Sequence, residues 1–188
     1  MKVFTLYDTS STLNTYLVGP EKGDEAIIID PGHIDMHLLD LAEASRYYIR
    51  NILVTHAHDR HIKGIKTLMK IFNADIYSKC PYIFDFDVKP VNSSFRLNLA
   101  GLDIEVIEIP GHSEDSVVYR INNIFFTGDV LSAGKIGSSL NSQLKKNLQE
   151  KIEEKILSAD EDCLIMPAHG PPSTVAAEKK FNPYLNSY

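Results

Sequence analysis

Cysteine is scarce in this 188-residue chain: Cys80 and Cys163 stand far apart with no CxxC spacing. Two thiols cannot form a disulfide framework, so they read as reduced cysteines. Basic runs are missing too, and the formal net charge is −6. That excludes the basic stripe that nucleic acid or an anionic membrane surface would require. Long hydrophobic runs are absent: stretches such as 26–29 are far too short to span a bilayer, and MKVFTLYDTSSTLN lacks the apolar core of a signal peptide. A cytoplasmic location is the resulting expectation. Internal repeats, low-complexity segments and long linkers are likewise absent. The length suits one domain spanning 1–188, able to bury roughly 70% of the surface of its unfolded form.

What is present is a regular alternation of apolar strands and amphipathic segments. VFTL near the start and Leu13 to Val18 read as strands, the latter joined through GPEKGD to Glu25 to Ile29 as a hairpin. After Asp30-Pro31-Gly32 a helical pattern runs from Met36 to Ala44, followed by the strand Asn51 to Val54, which leads straight into THAHDRH. Ile62, Ile65, Leu68, Met69 and Phe72 have helical spacing, and Ala74 to Tyr77 reads as the next strand. The second half repeats the plan. Phe95 to Leu99, Ile104 to Ile109, Ser116 to Ile121 and Ile124 to Thr127 are strands, and Ser142 to Leu157 is the longest helix. A last strand, Cys163 to Met166, leads into PAHGPP. Two such halves predict a four-layer αββα sandwich, two packed sheets covered outside by helices.

Five of the seven histidines, His56, His58, His61, His112 and His169, fall just after these strands. A single histidine beside a core strand is usually a hydrogen-bonded structural residue, but three within six residues suggest a different use. In an extended loop His56 and His58 point the same way, so both imidazoles can converge on one ion. His112, Asp129 and His169 each sit beside a glycine or proline that turns the chain sharply at a strand end. His33 and His37 match no such pattern and read as surface residues. Glu114 and Asp115 read as pocket-mouth or solvated carboxylates.

The segments THAHDRHIKG, IPGHSEDSVVY, FFTGDVLSAGKIG and MPAHGPPSTVAAEKKFNPYL, preceded by NTYLVG and IIIDPG, resemble in order and spacing the motifs of metallo-β-lactamase-fold hydrolases, closest to glyoxalase II-like proteins. The resemblance covers nearly the whole chain. It implies a first metal site of His56, His58 and His112, with Asp129 bridging toward a second made by His61, His169 and a further aspartate. There the chain departs from the family: H-x-H-x-D-H is met by His56, His58 and His61, but Arg60 occupies the aspartate position and Asp59 falls one place early. A guanidinium about 4 Å from a dication is repelled by roughly 8 kcal/mol at an effective dielectric near 20. Arg60 and a full second metal therefore exclude each other unless the arginine turns outward. The alternative for Arg60 is a solvated arginine paired with Asp59 or Asp129.

By this resemblance the expected activity is hydrolysis of an ester, thioester or similar activated carbonyl in a small-molecule substrate by a metal-bound hydroxide. One or two zinc ions are expected, with iron or manganese as other candidate metals. His56, His58 and His112 would be ligands, Asp129 a ligand or proton acceptor, and Arg60 an oxyanion or carboxylate anchor. The chain runs on only to NPYLNSY, without the helical extension that holds glutathione in glyoxalase II, which argues against a glutathione thioester. Two other readings remain open. One is an oxidoreductase like the family's persulfide dioxygenases, with mononuclear iron on His56, His112 and Asp129; the other is a non-catalytic binding protein. Fold alone does not choose among them.

Overall fold

The computed structural model describes residues 1–185. The first sheet holds β1 (Lys2–Asp8), β2 (Leu13–Gly19), β3 (Glu25–Ile29), β4 (Tyr48–Leu53), β5 (Asp75–Ser78) and β6 (Val88–Pro90) in that spatial order. The hairpin expected between 13–18 and 25–29 is the β2–β3 pair, and β2 also pairs along its whole length with β1. Between these strands lie α1 (Met36–Ala44), α2 (Asp59–Ile62) and α3 (Ile65–Ile71). The second sheet contains β7 (Arg96–Leu99), β8 (Leu102–Glu108), β9 (Val117–Ile121) and β10 (Ile124–Gly128), and then β13 (Leu164–Pro167) and β14 (Ser173–Thr174). A small hairpin of β11 (Leu131–Ser132) and β12 (Lys135–Ile136) follows β10, and α4 (Ser142–Lys155) and α5 (Val175–Phe181) complete the described chain.

The period-two alternation of each strand sorts its side chains into separate layers. Ile27, Ile29, Val106, Tyr119 and Phe126 meet between the sheets. Their neighbours in sequence point the other way. Ile28 packs under Leu38 and Leu68 on one outer face, and Val118 and Phe125 pack under Leu148 and Ile152 on the other. The result is helix, sheet, sheet, helix, the four-layer αββα sandwich anticipated from the pattern. Asn141 caps α4 by accepting from Leu144 N, which starts the helix whose Leu148 and Ile152 are fully buried. Each fully buried side chain of this size contributes about 1.5–3 kcal/mol relative to exposure.

Two local departures from the sequence reading position the site. The helical pattern from Ile62 to Phe72 is broken into α2 and α3, because Gly64 N bonds outside the helix ladder. Gly64 N donates to Pro31 O at 2.8 Å, and a Cβ at Gly64 would lie 2.4 Å from that same oxygen. The Asp30-Pro31-Gly32 turn therefore seats directly against the segment that carries Arg60 and His61. The short elements β6, β11, β12, β14 and α5 are the second departure; each is too short or too polar to show a period of its own.

Candidate metal centre

The five histidines and Asp129 assemble at one rim of the sandwich, where β4, β8, β10 and β13 end. His56 and His58 leave β4 in extended backbone and His61 follows on α2. His112 lies in the turn between β8 and β9, Asp129 follows β10, and His169 follows β13. Gly128 makes room for this gathering: its φ of 54° is left-handed, and a Cβ there would lie 2.4 Å from Thr55 Oγ1.

Two donor sets result, His56, His58, His112 and Asp129 in one and His61, Asp129 and His169 in the other. In the first set His58 Nδ1 lies 2.8 Å from His56 Nε2 and 3.3 Å from His112 Nε2. Asp129 Oδ2 lies 3.7 Å from His56 Nε2 and 3.5 Å from His112 Nε2. Ligands bound at about 2.0–2.1 Å on a tetrahedral ion sit roughly 3.3–3.4 Å apart, so these four atoms form a cage of the right size for a transition metal. In the second set Asp129 Oδ1 is 3.6 Å from both His61 Nε2 and His169 Nε2. That oxygen is buried and has no hydrogen-bond partner. An orphaned carboxylate oxygen facing two imidazoles is the arrangement that a cation, or a proton on a histidine, would satisfy.

The outer partners set the tautomers. His112 Nδ1 donates to Ser138 O (3.0 Å) and His169 Nδ1 to Thr12 O (2.7 Å), so both rings present Nε2 inward. His61 Nδ1 donates to Asp30 Oδ2 at 3.0 Å. Thr55 Oγ1 gives its proton to that same carboxylate (2.7 Å) and so can accept only from His56 Nδ1, 3.2 Å away. Asp30 thus orients His61 directly and His56 through Thr55, while its Oδ1 accepts from Thr55 N. It is 2% exposed with φ 49°, held in place by the turn that follows β3.

Electrostatics follow from this packing. Burial, together with the neighbouring charge of His61, lowers the His56 pKa to about 3, keeping it the neutral imidazole that metal ligation requires. His58 is also lowered, by burial and by His112. Burial opposes protonation of His61 as well, but the charges of Asp30 and Asp129 outweigh it and raise the pKa to about 9. Asp129 is pushed upward by burial and pulled down more strongly by His61, so it stays well below the usual carboxylate range. At neutral pH, then, the second donor set without metal carries a proton on His61.

The structure corrects one expected pairing and bears out the reading of other neighbours. Arg60 is exposed on α2 and does not pair with Asp59 or Asp129; the ion-pair partners of Asp129 are His56, His61, His112 and His169. Asp59 opens α2, is exposed and joins neither donor set, because adjacent residues on a helix point in different directions. Asp115 is half-buried: its Oδ2 accepts from Ala57 N at 2.7 Å and holds the backbone between His56 and His58. Only Glu114 faces solvent, and His33 and His37 are exposed as expected. The sequence reading gave no role to Asp30 or Thr55. A signal for Asp30 lies in the sequence, since an aspartate directly after the apolar run 26–29 must find buried partners.

Asp30→Asn should therefore weaken metal binding by roughly 10–100-fold, the range for groups that orient metal ligands. Competition against a chromophoric chelator measures this. An unchanged affinity would show that His56 and His61 hold their orientation without Asp30.

The description "Metallo-beta-lactamase superfamily" fits residues 11–169, and the chain belongs to that superfamily. Among relatives it is 27% identical to the hydroxyacylglutathione hydrolase GloC of Haemophilus influenzae, covering 86% of this chain and 88% of GloC. Among solved structures it is similar to ETHE1 from Myxococcus xanthus, with a TM-score of 0.90 at 24% identity over 100% of this chain and 86% of that one. It is also similar to TTHA1623 in a di-iron-bound form, with a TM-score of 0.83 at 25% identity, covering 97% and 100%.

Proposed function

We propose that the protein is a metal-dependent hydrolase of an ester, thioester or similar activated carbonyl in a small-molecule substrate. The observation that carries the proposal is the four-donor cage of His56, His58, His112 and Asp129, whose dimensions suit one transition metal. Zinc is the first choice for a set of three imidazoles and a carboxylate. When bound there, such an ion supplies an acidified water, with a pKa near ~7, and polarises the substrate carbonyl. The remaining work falls to the chain. Asp129 Oδ1, free of hydrogen bonds, would orient the water by accepting a hydrogen bond from it. Arg60, in the wall of the open cavity that also contains His58, His61 and His169, is placed to stabilise negative charge on the substrate. Likeness to a hydroxyacylglutathione hydrolase supports carbonyl hydrolysis as the reaction type.

The second donor set is incomplete in this reading. It has His61, Asp129 and His169 but no carboxylate ligand at position 60, and His61 is already engaged with Asp30. One ion per chain is the expected stoichiometry. Treatment with a strong chelator should abolish turnover of a generic thioester, and zinc should restore it. Turnover that survives complete metal removal would reject the proposal.

A second reading is an iron-dependent oxidoreductase of the persulfide dioxygenase kind. The cage contains His56, His112 and Asp129, the two-histidine and one-carboxylate set that suits non-haem iron, and TTHA1623 is a relative described in a di-iron-bound form. Iron in the purified protein, with oxygen consumed in step with turnover, would favour this reading over hydrolysis.

A further inference from the structure

A cleft of about 620 Å³ adjoins the metal centre on the side of α2 and α3, a volume in the range that small-molecule sites occupy. Asp59 and Arg60 belong both to its wall and to the wall of the cavity around His58, His61, Asp129 and His169, so the two spaces are neighbours across one turn of helix. Arg60, Lys63 and Lys66 line the cleft, and His33 borders it. Two carboxylates face them. Asp8 is turned into its own loop, where it accepts from Ser10 N (2.9 Å) and Ser11 Oγ (2.5 Å), and Asp59 lies exposed at the rim. Lys66 Nζ stands 4.0 Å over the ring of Phe84, which also lines the cleft. Among the described residues neither Arg60 nor Lys63 forms an ion pair. In a chain of net charge −6 this is a local excess of unpaired cations around a concavity.

We infer that the cleft is a subsite for an oxyanionic group, carboxylate or phosphate, of the substrate, and that Arg60, Lys63 and Lys66 hold it while the scissile carbonyl faces the metal centre. Arg60 stands on the boundary between the two spaces and reaches an anion with a fork of donors. The substrate class narrows to small acids or phosphates carrying an ester or thioester. The reaction assigned to the bound molecule rests on the hydrolase reading; the anion subsite itself does not.

Calorimetric titration of the protein as purified, with inorganic phosphate and separately with succinate, tests the subsite without relying on turnover. At least one of the two probes should bind saturably, and the stronger one identifies the group. In Lys63→Ala/Lys66→Ala its affinity should fall about tenfold or more, since each charge-assisted contact contributes roughly that factor. Metal content should not change. Arg60→Gln should weaken the same probe independently. Binding that is undiminished in the double lysine variant would mean that the anions sit on the metal, and would overturn the inference; so would the absence of saturable binding of both probes to the parent. If no ester or thioester is turned over, yet the lysine variant still loses anion binding, the subsite stands and the hydrolase reading falls.

Discussion

Replacing His56 and His112 together with alanine is expected to leave the protein with almost no bound metal and no detectable hydrolysis. These two residues supply two of the four donors of the first cage, and the Nε2 atom of each lies within 3.7 Å of Asp129 Oδ2. Losing an outer partner of a ligand already costs roughly 10–100-fold in affinity, and losing two ligands should cost far more. The folded state should tolerate His112→Ala, because that residue is only partly buried and hydrogen-bonds to the loop oxygen of Ser138. His56 is 1% exposed, so His56→Ala also leaves a cavity and is expected to lower stability by about 1–3 kcal/mol. Elemental analysis of parent and variant, purified alike without chelator, gives the answer. Equal metal content in the two would refute the site assignment.

Arg60→Asp is expected to raise metal content from about one ion per chain toward two, and to raise turnover of an uncharged thioester or lactone. The change removes a cation and supplies a carboxylate beside His61, Asp129 and His169, which already face one another. Because Arg60 is exposed, solvent screens its charge, and the roughly 8 kcal/mol of a close pair is an upper bound on what the change relieves. Uptake of the second ion must also displace the proton on His61. Since that pKa is raised to about 9, second-site affinity should increase as pH rises toward about 9 and level off above it. If Arg60 holds the anionic group of the native substrate, the same substitution should abolish activity on that substrate while improving generic hydrolysis. Zinc titration by calorimetry, with parallel assays of parent and variant, separates these effects. Unchanged stoichiometry with unchanged or lower turnover on every ester tried would reject the view that Arg60 is what impairs the second site, and would put iron chemistry or a non-catalytic role ahead.

Much of this protein follows from local pattern. Apolar runs marked most of the strands that build both sheets, though not the short β6 and β14, and the four-residue spacing of Leu144, Leu148 and Ile152 marked α4, because side-chain direction follows backbone period. The sequence also named the residues of both donor sets. His56 and His58 alternate on one extended segment, and His112, Asp129 and His169 each follow a strand at a turn. It equally exposed Arg60 between His58 and His61, where the resembled motif H-x-H-x-D-H has aspartate, and that order along the chain needs no coordinates.

Only the tertiary structure decided how those residues are held and what surrounds them. Asp30 meets His61 across 31 positions of sequence, and Asn14 holds the His169 loop through Gly170 O across 156. Asp115 supports the backbone of Ala57 across 58. No local period encodes such pairs, since each depends on how two sheets pack and which turns they bring together. For the same reason the position of Arg60 on the wall shared by two cavities, the division of Asp129 between two donor sets and the cationic cleft along α2 and α3 appear only when the layers are assembled. Each is a property of distances between segments remote in the chain, fixed by the burial of the apolar strand faces between them.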